Sequence, residues 1–301
     1  MSTIKKPTAL VTGCTPGGLG FELVKAFEAR GFHVFATARS PDKILASSST
    51  IDTNIETFPL DVVSSESIAN CLSHVQKRTG GRLDVLVNNA GTFMMGPLVH
   101  ASMDEARKVY DVNVFGMLAV SQAFTPLLAR AQGVILNISS LAGAVTMAWQ
   151  GMYNSSKAAM TCISETLRLE LAPVGVRVVT AMVGEMATQI YSHGGGGGGA
   201  DYSPSLPEGS WYKPVEDILR TQGQGQFQVN NEDPRVTARN LVTDTLGGKR
   251  GKIWRGGNAG FASVASWLLP GRVFERMLHN DRGIYNENIK KEAAQNLRSV
   301  R

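Results

Sequence analysis

Apolar residues fall along the first part of the chain in short runs separated by longer amphipathic stretches. Residues 8–12, 33–38, 56–60, 83–87, 134–139 and 177–182 are rich in aliphatic and β-branched side chains and predict six strands. Leu83-Asp84-Val85-Leu86-Val87 is almost wholly apolar, as a parallel strand covered on both faces must be. Between these runs apolar positions recur at helical spacing, as at Leu19, Leu23, Ala26 and Phe27, and at Ile68, Cys71, Leu72 and Val75. Helices are expected over about 18–30, 64–78, 103–130 and 153–171; the third carries Asn113 and is expected to bend near Pro126. Strands alternating with helices at this rhythm imply βαβ units, and so an α/β fold: a doubly wound parallel sheet with helices on both faces.

After residue 183 the rhythm changes. Residues 184–233 contain six consecutive glycines at 194–199, with Gly, Pro, Ser and Gln around them, and only 213–221 has a helical pattern. A glycine run has no preferred conformation, so this stretch reads as a flexible substrate loop or lid rather than a second domain. Residues 234–246 predict another helix and 252–254 a last short strand. Residues 259–279 alternate apolar and basic side chains around Pro270, within a basic C-terminal extension at 259–301. With no internal repeat or linker, residues 1–301 are expected to form a single domain.

Ligand sites in such sheets lie at the carboxyl ends of the strands. Gly13, Arg39, Asp61, Asn88 and Ser140 all fall there. The first strand enters Gly13-Cys14-Thr15-Pro16-Gly17-Gly18-Leu19-Gly20 and then a helix, the context in which glycines let a backbone approach a pyrophosphate at a helix N-terminus. At the end of the second strand an acid would suit an adenosine ribose, whereas the arginine present, Arg39, suits a 2′-phosphate and points to NADPH/NADP+. The fifth strand ends in Ser139-Ser140; Tyr153 follows 13 residues later and Lys157 four after that. Tyr and Lys at i and i+4 share a helix face, and the ammonium favours phenolate, which moves the tyrosine toward the range of a general acid. Taken alone, each of these is an ordinary surface pair or helix cap; their spacing and the glycine turn upstream give them weight.

Composition narrows the classes. At 301 residues and 43% hydrophobic, the chain can bury a full core. Three scattered cysteines (Cys14, Cys71, Cys162) suggest reduced thiols inside a cell, and five histidines show no metal-ligand spacing, so no metal site is expected. The first residues lack an apolar leader, and no apolar run is read as reaching the roughly 18 residues of a membrane span. Of the net charge of +5, residues 249–301 hold eleven Lys/Arg against four Asp/Glu, so the body before them is slightly acidic. Aromatics are not interleaved with the basic residues, which argues against nucleic acid. The basic tail has two readings: an interfacial segment in peripheral contact with a membrane, or a cap on the domain or a partner subunit. Met94, Met95, Met147, Trp149, Met152 and Tyr191 as a set form a candidate apolar pocket for a hydrophobic ketone or alcohol, although any single methionine among them is better read as core packing.

With these residues assembled, the chain resembles the classical short-chain dehydrogenase/reductase family over about residues 7–260. Residues 12–20 look like its glycine-rich cofactor motif, Asn88-Asn89-Ala90-Gly91 matches its Asn-Asn-Ala-Gly motif, and Asn113, Ser140, Tyr153 and Lys157 fall where the family has its catalytic tetrad. Within the family the chain is most similar to fungal NADPH-dependent 1-acyldihydroxyacetone-phosphate reductases and their relatives in secondary metabolism. The resemblance implies a Rossmann-type sheet of about seven strands. It implies NADP(H) held by Gly13, Thr15, Gly18, Leu19, Gly20, Arg39, Asp61, Asn89, Ala90, Gly91, Tyr153, Lys157, Gly184 and Thr188. It also implies reduction of a ketone on a hydrophobic substrate, such as an acyl-dihydroxyacetone phosphate or a secondary metabolite. Tyr153 would be the general acid, Lys157 its electrostatic support, Ser140 the holder of the carbonyl oxygen and Asn113 the positioner of a relay water. A homodimer or homotetramer through the helices at 104–130 and 153–171 is implied too. The expected location is the cytoplasm, with peripheral attachment to endoplasmic reticulum or lipid droplets if the tail meets a membrane. Three departures stand out: four residues rather than three separate Gly13 from Gly18, Val183 replaces a proline, and the glycine run replaces an ordinary substrate loop. A non-redox protein on the same fold, either a cofactor-binding scaffold or an isomerase or cyclase, is the alternative.

Overall fold

Strand β1 (Thr8–Val11) shows how the sheet is built, because its side chains serve two cores. Ala9 and Val11 face one side and Leu10 the other, and all three are fully buried. The same alternation repeats in β2 (His33–Ala38), β4 (Val85–Asn88) and β5 (Val134–Ile138). Strands β3 (Ile55–Pro59), β6 (Arg177–Val183) and β7 (Gly251–Arg255) complete a seven-stranded sheet in the order β3-β2-β1-β4-β5-β6-β7, with every pairing parallel. The computed structural model describes residues 4–46, 54–186, 202–204, 206–226 and 231–299. The expected doubly wound sheet and its strand number are thus observed.

Helices α1 (Leu19–Glu28) and α8 (Pro234–Leu246) cover one face; they share a core of Leu23, Phe27, Leu241 and Val242 with Val11 and Val34. A short α2 (Asp42–Ala46), not anticipated from the sequence, follows β2. On the other face α3 (Ser65–Thr79) buries Ile68, Cys71 and Val75 against Leu10, Phe35 and Ile135. Its ends are set locally: Ser64 Oγ accepts from Ser67 N, and Gly80 takes the left-handed conformation that closes it.

The helix expected at 103–130 is α4 (Met103–Tyr110), a π-helical turn (Asp111–Gly116) and α5 (Met117–Ala131). The expected irregularity therefore moves: the chain stays helical through Pro126, and the disturbed hydrogen-bond ladder surrounds Asn113 instead. A second correction concerns its polarity. Residues 103–131 form one helix long and apolar enough, by length and composition, to cross a membrane, but half of the apolar window is buried within the fold. Val120, Phe124, Leu127 and Leu128 pack on the sheet, which explains the run as core.

Helix α6 (Gly151–Glu170) leads into β6. Residues 213–215 form one 3-10 turn that enters α7 (Glu216–Gly223), close to the helix expected at 213–221. The glycine run at 194–199, with the rest of residues 187–201 of the predicted loop, lies outside the described residues. The tail is a set of helices rather than an extended alternation: α9 (Ala259–Leu268), α10 (Gly271–His279) and α11 (Glu287–Ser299). Pro270 separates the first two by taking the position that starts α10.

Candidate active site

A cleft of about 930 Å3 runs along the carboxyl ends of β1, β2, β4, β5 and β6. Gly13, Thr15, Gly18, Leu19, Arg39, Asp61, Asn89, Ala90, Gly91, Ser140, Tyr153, Lys157 and Gly184 all line it. Residues drawn from seven separate segments of the sequence therefore meet at one surface.

One end is built from backbone. Gly13 has φ +70°, and a Cβ there would stand 2.7 Å from the Ala90 Cα, so the turn closes only on glycine. The adjoining loop is latched to it. Thr12 Oγ1 accepts from the N–H groups of Asn89 and Ala90, each at 3.0 Å, and Asn89 Nδ2 donates to the carbonyls of Thr12 at 2.9 Å and Gly13 at 3.0 Å. Gly18, with no side chain to cap α1, leaves the first-turn N–H groups directed into the cleft, where a phosphate would sit. Gly20 does not line the cleft; it is buried in α1, where an added Cβ would run into Asn89 Nδ2 and the Gly13 carbonyl. Arg39 is exposed at the rim just beyond β2, and Asp61 accepts from Val63 N at 3.1 Å beyond β3.

The middle of the cleft holds the hydroxyls and the amine. The two serines after β5 divide their work. Ser139 is buried, bonded to Thr161 Oγ1 at 2.6 Å and to the Lys157 carbonyl at 3.2 Å, while Ser140 caps the next turn by accepting from Ala142 N at 3.1 Å and faces the cleft. Tyr153 is buried edge-on against Phe93, with ring centres 4.9 Å apart. Lys157 Nζ lies 5.9 Å from the Tyr153 ring centre and donates to the Ile138 carbonyl at 3.0 Å. Burial pulls its ammonium down to about 8. Asn113 is fully buried behind this group and does not line the cleft. It donates to the Thr92 carbonyl at 2.9 Å and Ser156 Oγ at 3.0 Å, and accepts from Thr92 N at 2.8 Å. The π-turn places it there, and its amide holds the segment after Gly91 against α6.

Sequence reasoning missed the polar chain under these residues. Asn88 Nδ2 donates to Ser121 Oγ and Asn137 Oδ1, Asn137 Nδ2 donates to Ser164 Oγ, and Ser164 meets Thr180 Oγ1, all at 2.7–2.9 Å. It ties the ends of β4, β5 and β6 to α5 and α6 just below the cleft floor. The signal was the asparagines inside two otherwise apolar strands.

The far end is apolar and owes much to the tail. Of the expected pocket residues that the structure describes, only Met147 lines the cleft. Met94, Met95 and Met152 are packing residues, and Trp149 turns its indole N–H to the Arg282 carbonyl at 2.7 Å. In their place stand Phe93, Phe261, Phe274, Met277 and Leu278. The tail is held by His279, whose Nε2 accepts from Ala148 N at 3.1 Å; that fixes the proton on Nδ1, which donates to the Glu275 carbonyl at 2.7 Å. Of the two readings of the tail, residues 259–282 do cap the domain. Thr188 and Tyr191 lie outside the described residues.

The nucleotide end fits a dinucleotide. The cleft is lined with backbone rather than bulk where a pyrophosphate would rest, and a Cβ on Gly91 would project to 3.5 Å from Lys157 Nζ and 3.3 Å from Asn113 Oδ1, so glycine keeps the space above the lysine open.

Comparison with known proteins agrees with this geometry. A family model described as short chain dehydrogenase matches residues 7–193. A short-chain dehydrogenase of Talaromyces islandicus is 44% identical over 91% of this chain and 94% of its own length. An NADPH-dependent 1-acyldihydroxyacetone phosphate reductase of Schizosaccharomyces pombe is 34% identical over 88% of this chain and 90% of its own. Among solved structures, a short chain dehydrogenase from Burkholderia cenocepacia J2315 in complex with NADP superposes with a TM-score of 0.67 at 25% identity, covering 92% of this chain and 98% of that one. Sheet order, glycine turn and sequence similarity over most of the chain converge on one conclusion: the protein belongs to the short-chain dehydrogenase family and is an oxidoreductase of that family.

Proposed function

We propose that the protein reduces a ketone on a hydrophobic substrate to a secondary alcohol, using NADPH. The observation that carries this reading is the convergence of Ser140, Tyr153 and Lys157 on the floor of a single cleft whose one end is backbone and whose other end is apolar. When bound, the nicotinamide supplies hydride to the carbonyl carbon. The chain does the rest. Gly13, Thr15, Gly18 and Leu19 would hold the pyrophosphate, Asp61 and Ala90 would border the adenosine, and Gly91, Lys157 and Gly184 would hold the nicotinamide side. Ser140 Oγ donates to the substrate oxygen and stabilises the charge that develops on it. Tyr153 gives its phenolic proton to that same oxygen, completing the alcohol. Lys157, an ammonium through most of the physiological range, stabilises the phenolate left behind. Asn113 anchors the Thr92 backbone and α6 beside this group, and solvent water would return the proton to the phenolate.

Arg39 supports NADPH over NADH, because an exposed guanidinium at the end of β2 can meet a 2′-phosphate with two hydrogen bonds. The NADPH-dependent relative and the NADP-bound neighbour support the same choice. Phe93, Phe261 and Phe274 support an apolar substrate. The test is NADPH oxidation by the purified protein across a panel of ketones, including an acyl-dihydroxyacetone phosphate, beside the Tyr153→Phe variant. The variant is expected to bind NADPH normally and to lose turnover by about 10²–10⁴-fold. Equal turnover in the variant removes Tyr153 from the chemistry, and NADPH binding without turnover on any ketone favours a non-redox role.

A further inference from the structure

Helix α9 has no charged residue from Ala259 to Leu268. One side of it is spent on the fold: Ala259, Ala262 and Ala265 are buried. The opposite side presents Phe261 and Val264, then Trp267 at 90% exposure and Leu268 at 76%. An uncharged helix whose outer side carries side chains this large and apolar is normally covered there. Helix α10 extends the surface with exposed Val273 and Met277. Six large apolar side chains on two consecutive helices are a patch rather than scattered surface residues.

We propose that the α9–α10 hairpin is a bilayer-docking surface that seats the mouth of the cleft on anionic lipid. Two observations choose lipid over a second protein. The first is charge. Exposed Arg272 and Arg276 stand on α10 beside the apolar residues, in a segment, 249–301, that holds eleven Lys/Arg against four Asp/Glu. Tryptophan with aliphatic neighbours and flanking arginines is the composition of an interfacial segment. The second is continuity with the cleft. Phe261 and Met277 belong to the exposed patch and also line the cleft, so the patch forms part of its rim. A second protein seated there would crowd the entrance, whereas a fluid lipid surface can both cover the patch and deliver an apolar substrate. At 10 residues, α9 is about 15 Å long and would lie on a membrane rather than cross it.

The test is flotation of the full-length protein with vesicles of phosphatidylcholine alone and of equal parts phosphatidylcholine and phosphatidylserine. It reads binding rather than turnover, so it stands apart from the reductase reading. Binding is expected to the anionic vesicles and to weaken with salt. The double variant Trp267→Ser, Leu268→Ser, whose sites do not line the cleft, is expected to lose partition by about tenfold or more while keeping its circular dichroism and its NADPH affinity. Arg272→Glu with Arg276→Glu is a second variant that leaves the apolar residues in place and is expected to lose the preference for phosphatidylserine. No binding by the unaltered protein, or undiminished binding by both variants, overturns the proposal. A smaller native mass in the Ser variant also overturns it, by assigning the patch to a second copy of the chain.

Discussion

At the nucleotide end of the cleft, Thr12, Gly13, Asn89 and Ala90 are joined by four hydrogen bonds that all involve main-chain atoms. At the substrate end, Phe93, Met147, Phe261, Phe274 and Leu278 meet through side chains delivered by four distant segments. The first surface is shaped by the path of the backbone, so few residue types fit it. The second is shaped by bulk, and bulk can be exchanged among apolar residues at modest cost. The difference explains how one fold keeps its cofactor while changing its substrate: the end that must not vary contains little that can.

The largest test of that contrast uses one substitution in each region. Gly13→Ala must adopt a left-handed conformation and push a Cβ against the Ala90 backbone, which costs about 3–4 kcal/mol from strain and overpacking together. Gly260→Ala, on α9, meets nothing within 4 Å and gains helix propensity, so it is neutral or stabilising by less than about 1 kcal/mol. Urea denaturation of both variants measures the pair. Equal losses would mean that the two ends are equally constrained.

Lys157 sharpens the comparison from the centre of the cleft. Its folded value of about 8 lies below the ordinary lysine value of 10.5, so between these values the unfolded chain holds a proton that the folded chain has released. Stability contributed by this group therefore rises with pH across that window, and below pH 8 the fold bears the whole cost of a buried ammonium, about 3 kcal/mol. Lys157→Met is expected to abolish turnover yet raise the melting temperature at pH 7, with the advantage shrinking as pH rises through the window. Thermal unfolding across that range decides it. A variant that melts lower at pH 7 would show that the bond to the Ile138 carbonyl outweighs desolvation.

The same division governs what the sequence made legible. Strands, crossovers and the sites at their ends follow from local signals, namely apolar runs, glycines and a Tyr–Lys spacing, and the structure places 13 of the 15 candidate residues it describes, all but Gly20 and Asn113, on the cleft itself. Those two are buried just behind it, and no periodicity distinguishes a residue facing a ligand from one packed one layer deeper. The substrate wall was not legible, because Phe261, Phe274 and Leu278 reach it only after the chain has left the sheet. Their apolar-and-basic alternation left both a membrane segment and a cap open, with the cap slightly favoured. That one side of the tail caps the domain follows from the Ala148–His279 bond across 131 positions, a long-range event that local patterning does not encode.

A smaller effect tests whether the nucleotide end tolerates any side-chain change at all. Arg39 is exposed and makes its contribution through charge rather than backbone shape. Arg39→Ala is expected to weaken NADPH by about tenfold, leave NADH unchanged and leave the melting temperature unmoved. Fluorescence titration with both cofactors separates these. Parallel losses for NADPH and NADH would mean that Arg39 supports the turn and not the 2′-phosphate.

The smallest expected effect lies at the substrate end, where Arg282 secures the tail. Its Nε donates to the Leu278 carbonyl at 3.2 Å, and its Nη2 lies 3.5 Å from Met147 Sδ on the opposing loop. Arg282→Ala removes these and the 3.5 Å bond from Nη1 to the Ala148 carbonyl. It leaves the two backbone anchors, Trp149 Nε1 on the residue-282 carbonyl and Ala148 N on His279, so the tail stays docked but less rigidly. The loss is about 1 kcal/mol. It should appear as an approximately fivefold rise in KM for a bulky ketone, with kcat and NADPH affinity unchanged. Steady-state kinetics on one bulky and one small ketone checks this, since a small ketone that does not reach the tail should be indifferent. A matching fall in NADPH affinity would couple the two ends energetically, and the independence of a fixed cofactor half from an exchangeable substrate half would then fail at the residue where it ought to be easiest to keep.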